Sequence, residues 1–562
     1  MRRTLSAFGI ALIGAVALQA QGRGGAEWTT TSFDAQRTGW VRTDPRISVQ
    51  SMTKPGEFGT FKFLWKLKLE FDPKAPATLT QPVLIDRIIG FRGFKSIAYV
   101  ATQSETVHAI DYDFGTTLWK YHVNYTASPP PVVLGTAECP AGLSAALSRP
   151  TAFAPSTAAG RGGGGGRGGR SGGGVGEPGK GATTLATAGA AGARGAGGAN
   201  GAGAPGAPGA AGAVPGSAAA AAGNQPGGLP GAARQGGPGG GGGGGRGGPF
   251  RPGDDAAYVV GSDGFLHALN IQNGWDNMTP ALFVPSNTHV AGLIVATSDE
   301  GAVAYAATTN RCGSQPDAVW AMDLGKPEKP VTAFKVGEAT IAGSAGPAIG
   351  KDGTVYIATA GGSAAESSSV FALEAKTLKQ KAVAKVAGVN LTSSPVVISW
   401  NDKDALLVAG GGKLFVFESA NLSAGPIATS AAGVDGTNGA LTTWTDSANL
   451  RWVALSTSNG IATFKLAEQD GKPVFQPGWT SATIAAPLAP LVVNGVLFTA
   501  SSGTKAAPGV VYGFDAATGK QLWTSGRAVT TTIKGSLSAG GGTLFVPGSD
   551  STLYAFGFEI EK

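Results

Sequence analysis

AYVATQSETVHAIDYDFGTTLW, Ala98 to Trp119, decides the fold. It reads as an apolar strand, a small polar turn and a second strand ending in Ala-x-Asp. A close copy, LFTASSGTKAAPGVVYGFDAATGKQLW, spans Leu497 to Trp523 near the other end of the chain. Self-similarity at a fixed period of this size means a propeller or a solenoid, whatever any single residue does.

Working outward from these two copies, the strand that ends near Ala-x-Asp recurs along the chain. It is VHAID (Val107 to Asp111), LHALN (Leu266 to Asn270), VWAMD (Val319 to Asp323), VFALE (Val370 to Glu374), LFVFE (Leu414 to Glu418), IATFK (Ile461 to Lys465), VYGFD (Val511 to Asp515) and LYAFG (Leu553 to Gly557). From Ala268 onward the spacing is ~40–55 residues, that of a four-stranded blade. Inner strands carrying Pro or Gly precede several copies: QPVLID (Gln81 to Asp86), PPVVLG (Pro130 to Gly135), GPAIG (Gly346 to Gly350), SPVVIS (Ser394 to Ser399) and APLVV (Ala489 to Val493). A blade with two apolar faces needs neighbours on both sides, so the blades stack around an axis and the ring closes. The expectation is an all-β, eight-bladed propeller of four-stranded antiparallel blades. The last copy has no fourth strand, while FLWKLKLE (Phe63 to Glu70) precedes the first copy as an orphan. Phe63 to Leu69 is therefore expected to complete the last blade, which removes a free sheet edge.

Residues from Ser156 to Gly253 are Gly, Ala and Pro with scattered Arg. Such a segment buries too little apolar area to offset chain entropy and is expected to be disordered. It falls between Val132-Val133 and Tyr258-Val259, which makes it an insertion at a hairpin tip of the second blade. The net charge of +7 comes largely from it. Arg161, Arg167, Arg170, Lys180, Arg194, Arg234, Arg246 and Arg251 stand there against Glu177 alone, about +7, and Arg2 and Arg3 add two more, which leaves about −2 for everything else. The folded part is near neutral, so the overall charge is no argument for a basic binding face.

Arg2 and Arg3, the uncharged run Ala7 to Leu18 and the small residues Ala15-Val16-Ala17 and Ala20 read as an export signal. The run is short for a bilayer span, which needs about 20 residues. The expected organisation is a signal peptide at 1–20, the propeller start at 28–155, the insertion at 156–253 and the remaining blades at 254–562, in a periplasmic or secreted monomer with no membrane segment after signal removal. In an exported chain Cys139 and Cys312 either pair or serve as small buried apolar residues; spacing alone leaves both readings open.

The repeat resembles that of the pyrroloquinoline-quinone-type (PQQ-like) β-propeller family, whose signature is Ala-x-Asp-x-x-Thr-Gly-x-x-x-Trp. The copy near the C-terminus keeps Asp515, Thr518, Gly519 and Trp523, with Gly513 for Ala; the first keeps Ala109, Asp111, Gly115 and Trp119, with Phe114 for Thr. Others are degraded, as at Ala268, Asn270 and Gly274, which lack the Trp. DAQRTGW (Asp34 to Trp40) is similar to the opening segment of such propellers. The resemblance implies that Trp119 and Trp523 dock one blade on the next, and that the Gly makes a turn with positive φ.

Enzymes of that family are quinoprotein dehydrogenases that hold PQQ and Ca²⁺ near the axis, with an Asp as base and often two adjacent cysteines. Cys139 and Cys312 are not adjacent, no haem motif is present, and no acidic cluster maps onto a calcium set. His108 and His267 occupy equivalent strand positions, which points to packing; His122 and His289 stand alone. Asp263-Gly264 and Asp352-Gly353 read as turns. No serine elbow, zinc helix or P-loop occurs. The spaced Arg of 161–170 and 246–251 lack aromatic companions beyond Phe250, against nucleic-acid binding. The expected function is a non-catalytic scaffold for a protein or peptide, without cofactor. The alternatives are a PQQ- and calcium-dependent dehydrogenase of alcohols or sugars, and a polyanion-binding or adhesive protein acting through the insertion.

Overall fold

Ala256–Val260 and Gly301–Thr309 are buried at every position. A strand without a solvent face needs a sheet on either side, and the ring supplies it. A computed structural model describes residues 27–123, 139, 142–152 and 255–559, except positions 57, 74, 91–92, 299–300, 313–314, 362–367 and 432–438. These belong to one unit, Met1–Gly162 with Gly247–Lys562; Gly163–Arg246 form a second, outside the described residues. The expected signal, the insertion and Val132-Val133 also lie outside them.

The structure is an eight-bladed β-propeller. Blade 1 is Val83–Gly90, Gly93–Thr102, Thr106–Asp111 and Thr116–His122, antiparallel throughout. Blade 2 has Ala256–Val260, Phe265–Asn270 and the two-residue strand Ala281–Leu282. Its inner position beside Tyr258, which the sequence reading gave to Val132-Val133, is held by Ser148 through two backbone hydrogen bonds of 2.8 and 2.9 Å. Blades 3 to 7 take their second strands from Gly301–Thr309, Val355–Ala360, Lys403–Gly410, Arg451–Ser456 and Val496–Ala500. Each of the eight repeated sequences forms the third strand of its blade.

Ser538–Gly540, Thr543–Pro547 and Thr552–Gly557 build blade 8, and Lys62–Lys68 adds its outer strand. The pairing is antiparallel, from Lys62 opposite Gly557 to Lys68 opposite Thr552, with an irregularity between Phe63 and Trp65. The ring is thus sealed by the orphan segment of the sequence. Lys62, Lys66 and Lys68 are exposed on this edge, where charge discourages pairing with another chain. Behind it Phe61 stacks on Phe498 at 5.7 Å and meets Phe558 edge-on at 5.4 Å, joining blades 7 and 8. No helix among the described residues is long and apolar enough to cross a membrane.

Candidate functional site

The residues ahead of the closing strand do what their sequence does not announce. Trp28 to Asp44 run past the inner strands and meet the blades in order. Trp28 exchanges backbone hydrogen bonds with Leu84 of blade 1, and the Thr29 carbonyl accepts from Arg149 beside blade 2. Thr30 Oγ1 donates to the Leu293 carbonyl of blade 3. The carbonyls of Ala35, Gln36, Thr38 and Gly39 accept from Ile349, Val397, Thr443 and Val492 of blades 4, 5, 6 and 7, at 2.8 to 3.0 Å. Trp40–Val41 then pairs in parallel with Leu491–Val493, and Asp44 Oδ2 accepts from Gly542 N–H of blade 8 at 3.0 Å.

At the centre of this thread lies Arg37, fully buried. Its guanidinium donates to the carbonyls of Pro347 (2.8 Å), Gly292 (2.6 Å) and Thr31 (2.6 Å) and to Thr30 Oγ1 (3.2 Å). A Cβ on Gly292 would lie 2.8 Å from that guanidinium and 2.0 Å from the Ala345 carbonyl, so only glycine fits there. Asp34 caps the turn, accepting from Thr38 N–H at 2.9 Å and Thr38 Oγ1 at 2.7 Å. Burial pushes the Asp34 carboxyl up, and lowers Arg37 to about 9 against the pull of Asp34. Ser32, Phe33 and Arg37 all hold positive φ; such strain persists only where the surroundings over-determine it.

A calcium ion takes six to eight oxygen ligands. Among the described residues no three Asp, Glu, His or Cys side chains converge to hold one, and the axial donors are spent on each other.

The signature residues lie away from the axis, at the blade junctions. Gly115 and Gly519 have φ of +65° and +74°. The Trp119 ring covers Gly274 of blade 2, and its Nε1 donates to the Ile271 carbonyl at 3.1 Å. Trp65 meets Gly115 in the same way, with Nε1 on the Tyr112 carbonyl at 2.9 Å; Trp479 meets Gly519, with Nε1 on the Ala516 carbonyl at 2.9 Å. Among the described residues no glycine lies under Trp523, which packs edge-on against Phe61 (5.0 Å) and Phe556 (5.3 Å). Asp111 pairs with Lys95 at 3.0 Å. Asp515 Oδ1 accepts from the N–H groups of Ala517 and Thr518, and Thr518 Oγ1 from Lys520 N–H. Trp479 does not stand out in the sequence, and Trp65 enters there only as part of the orphan segment Phe63 to Glu70.

On the face that carries the turns between second and third strands, Cys139 and Cys312 form a disulfide. Glu105 lies on this face in blade 1, almost fully buried, and accepts from Ser262 N–H of blade 2 at 3.2 Å. Burial pushes its carboxyl up to about 7. His108 and His267 are both buried; His267 Nδ1 lies 3.0 Å from Asp276 Oδ2, and burial lowers His108 to about 4.

Comparison with known proteins agrees with this architecture. A family model described as outer membrane protein assembly factor BamB matches residues 430–559. The quinohemoprotein alcohol dehydrogenase of Comamonas testosteroni superposes with a TM-score of 0.50 at 13% identity, over 96% of this chain and 81% of its own. A europium-containing methanol dehydrogenase gives 0.52 at 10% identity, over 95% and 98%. The quinohemoprotein alcohol dehydrogenase ADHIIG of Pseudomonas putida HK5 gives 0.51 at 11% identity, over 96% and 81%. No curated protein matches the sequence. The fold is that of a PQQ-like β-propeller.

Proposed function

We propose that this propeller is an exported, non-catalytic scaffold that binds a protein or peptide. The observation that carries the reading is the Trp28–Asp44 thread. Its backbone and Arg37 tie the inner strands of successive blades to one another, which makes a rigid ring that presents loops and blade edges. Strand addition at such an edge is one recognised mode of peptide capture. The partial match to the assembly-factor family favours a protein partner. Residues 1–20 act as the export signal and 156–253 as a spacer within blade 2, so that deleting 156–253 leaves partner binding intact. Loss of binding on that deletion would favour the polyanion-binding reading instead.

The test is direct. Purified protein is mixed with PQQ and Ca²⁺, and dye reduction with alcohols and sugars is followed. The scaffold reading expects no turnover and no cofactor absorbance retained after gel filtration. Turnover makes the chain a quinoprotein dehydrogenase, the activity that the fold neighbours carry in their names.

A further inference from the structure

Arg451 opens the second strand of blade 6 and is partly buried. Among the described residues its guanidinium has no ion pair and no hydrogen bond. The acid on the adjoining turn, Asp446, is already spent. It accepts from the N–H groups of Ala448 and Leu450 and from Trp452 Nε1, all within 2.9 Å. Asp34 is buried, bonded to Thr38, and its charge acts on Arg42 and Arg37 rather than on Arg451.

What Arg451 does meet is an aromatic ring and another cation. Its guanidinium lies over the Trp40 indole, 5.9 Å from the centroid, and that of Arg42 lies over the same ring at 4.8 Å. Trp40 is fixed by its parallel pairing with Val492. Burial and the charge of Arg42 together lower Arg451 to about 10, which still leaves it charged at neutral pH. A cation removed from water without a counter-charge is costly, and a like charge beside it adds to the cost. A guanidinium presents five donors in a planar fork that matches a two-oxygen anion, and stacking on an indole holds that plane in place.

We propose that Arg451, with Arg42 beside it on Trp40, anchors an oxyanion site that takes a carboxylate or phosphate group. The site lies on the face that carries the turns between first and second strands. Arg451 follows the 446–450 turn, and Arg42 follows Val41, which pairs with Val493 at the end of the inner strand of blade 7. It is thus on the face opposite the disulfide. The inference is independent of whether the propeller is a scaffold.

The full-length protein is titrated at low salt with inorganic phosphate and with an acetylated, amidated triglutamate peptide, by calorimetry and by thermal shift. Wild type binds at least one probe, and its Tm rises with the concentration of that probe. R451Q weakens the interaction at least ten-fold and removes the thermal response. R42Q, on a different element, weakens it several-fold and keeps the test standing if R451Q does not fold. A response to phosphate alone identifies a free oxyanion as the ligand, and preference for the peptide identifies a side-chain carboxylate. If wild type takes neither probe, or R451Q and R42Q bind both as wild type does, there is no such site.

Discussion

The Trp65 indole occupies the space where Gly115 would carry a side chain: a Cβ there would sit 2.5 Å from Trp65 Cδ2. Trp65 is on the closing strand of blade 8 and Gly115 on blade 1, so this contact spans the seam of the ring. Trp119 on Gly274 and Trp479 on Gly519 repeat it at 2.6 and 2.5 Å. Gly115→Ala should lower stability by the left-handed backbone cost of about 1–2 kcal/mol, and further by displacing the indole. Gly337→Ala is the control, since Gly337 also has positive φ (+68°) but nothing within 4 Å. Urea unfolding of both variants measures the difference; equal losses would show that the indole contact contributes nothing.

Glu105 sets a pH dependence. Its carboxyl is raised in the folded protein to about 7, so the folded state holds a proton that the unfolded state has already released. Stability is therefore highest below the ordinary carboxylate range and falls as pH rises toward 7. His108, lowered by burial, works in the opposite direction below pH 6.5. The comparison of wild type with Glu105→Gln cancels that contribution. The variant should match wild type near pH 4.5 and exceed it above pH 7, by on the order of 3 kcal/mol. Thermal unfolding across pH reads it out, and a constant difference between the two proteins argues against a titrating Glu105.

Cys139 and Cys312 are 173 residues apart. Removing the bond releases a long loop in the unfolded chain and should cost about 2–5 kcal/mol. Replacing both residues with Ala, or adding a reductant, should lower Tm by the same amount. A variant that melts with the oxidised protein would mean the bond constrains nothing.

Arg37→Met should be among the most damaging single changes away from the seams. It leaves the carbonyls of Pro347, Gly292 and Thr31 without that donor and removes one of the two cations, Arg37 and Arg42, that act on Asp34. Breaking a buried charge network of this kind costs about 3–5 kcal/mol. Chemical denaturation gives the value, and a loss below about 1 kcal/mol would contradict the role of Arg37 as the knot of the axial thread.

The ring was legible because each third strand, from Val107–Asp111 to Leu553–Gly557, repeats one local pattern that needs no distant partner to be seen. Phe63–Leu69 could be assigned for a related reason: a closed ring with one strand missing and one strand spare has a single solution. The axial thread was not legible. Residues 28–44 have neither helical nor strand periodicity, and their partners lie up to about 500 residues later in the chain. A segment that bonds each neighbour once leaves no pattern in its own sequence. The inner position of blade 2 was misplaced because Val132-Val133 looks more like a strand than the small-residue stretch around Ser148 does. Trp479 escaped notice because Pro477-Gly478 precedes it instead of the signature, and Arg451 because its partners Trp40 and Arg42 come from the opposite end of the chain.

The thread and the closing strand impose an order of events on biosynthesis. A ribosome delivers Lys62–Lys68 long before Thr552–Gly557, yet each is the other's partner. Until Thr552–Gly557 emerges, Lys62–Lys68 has no sheet to join. No nascent chain that stops short of Thr552–Gly557 can close this ring.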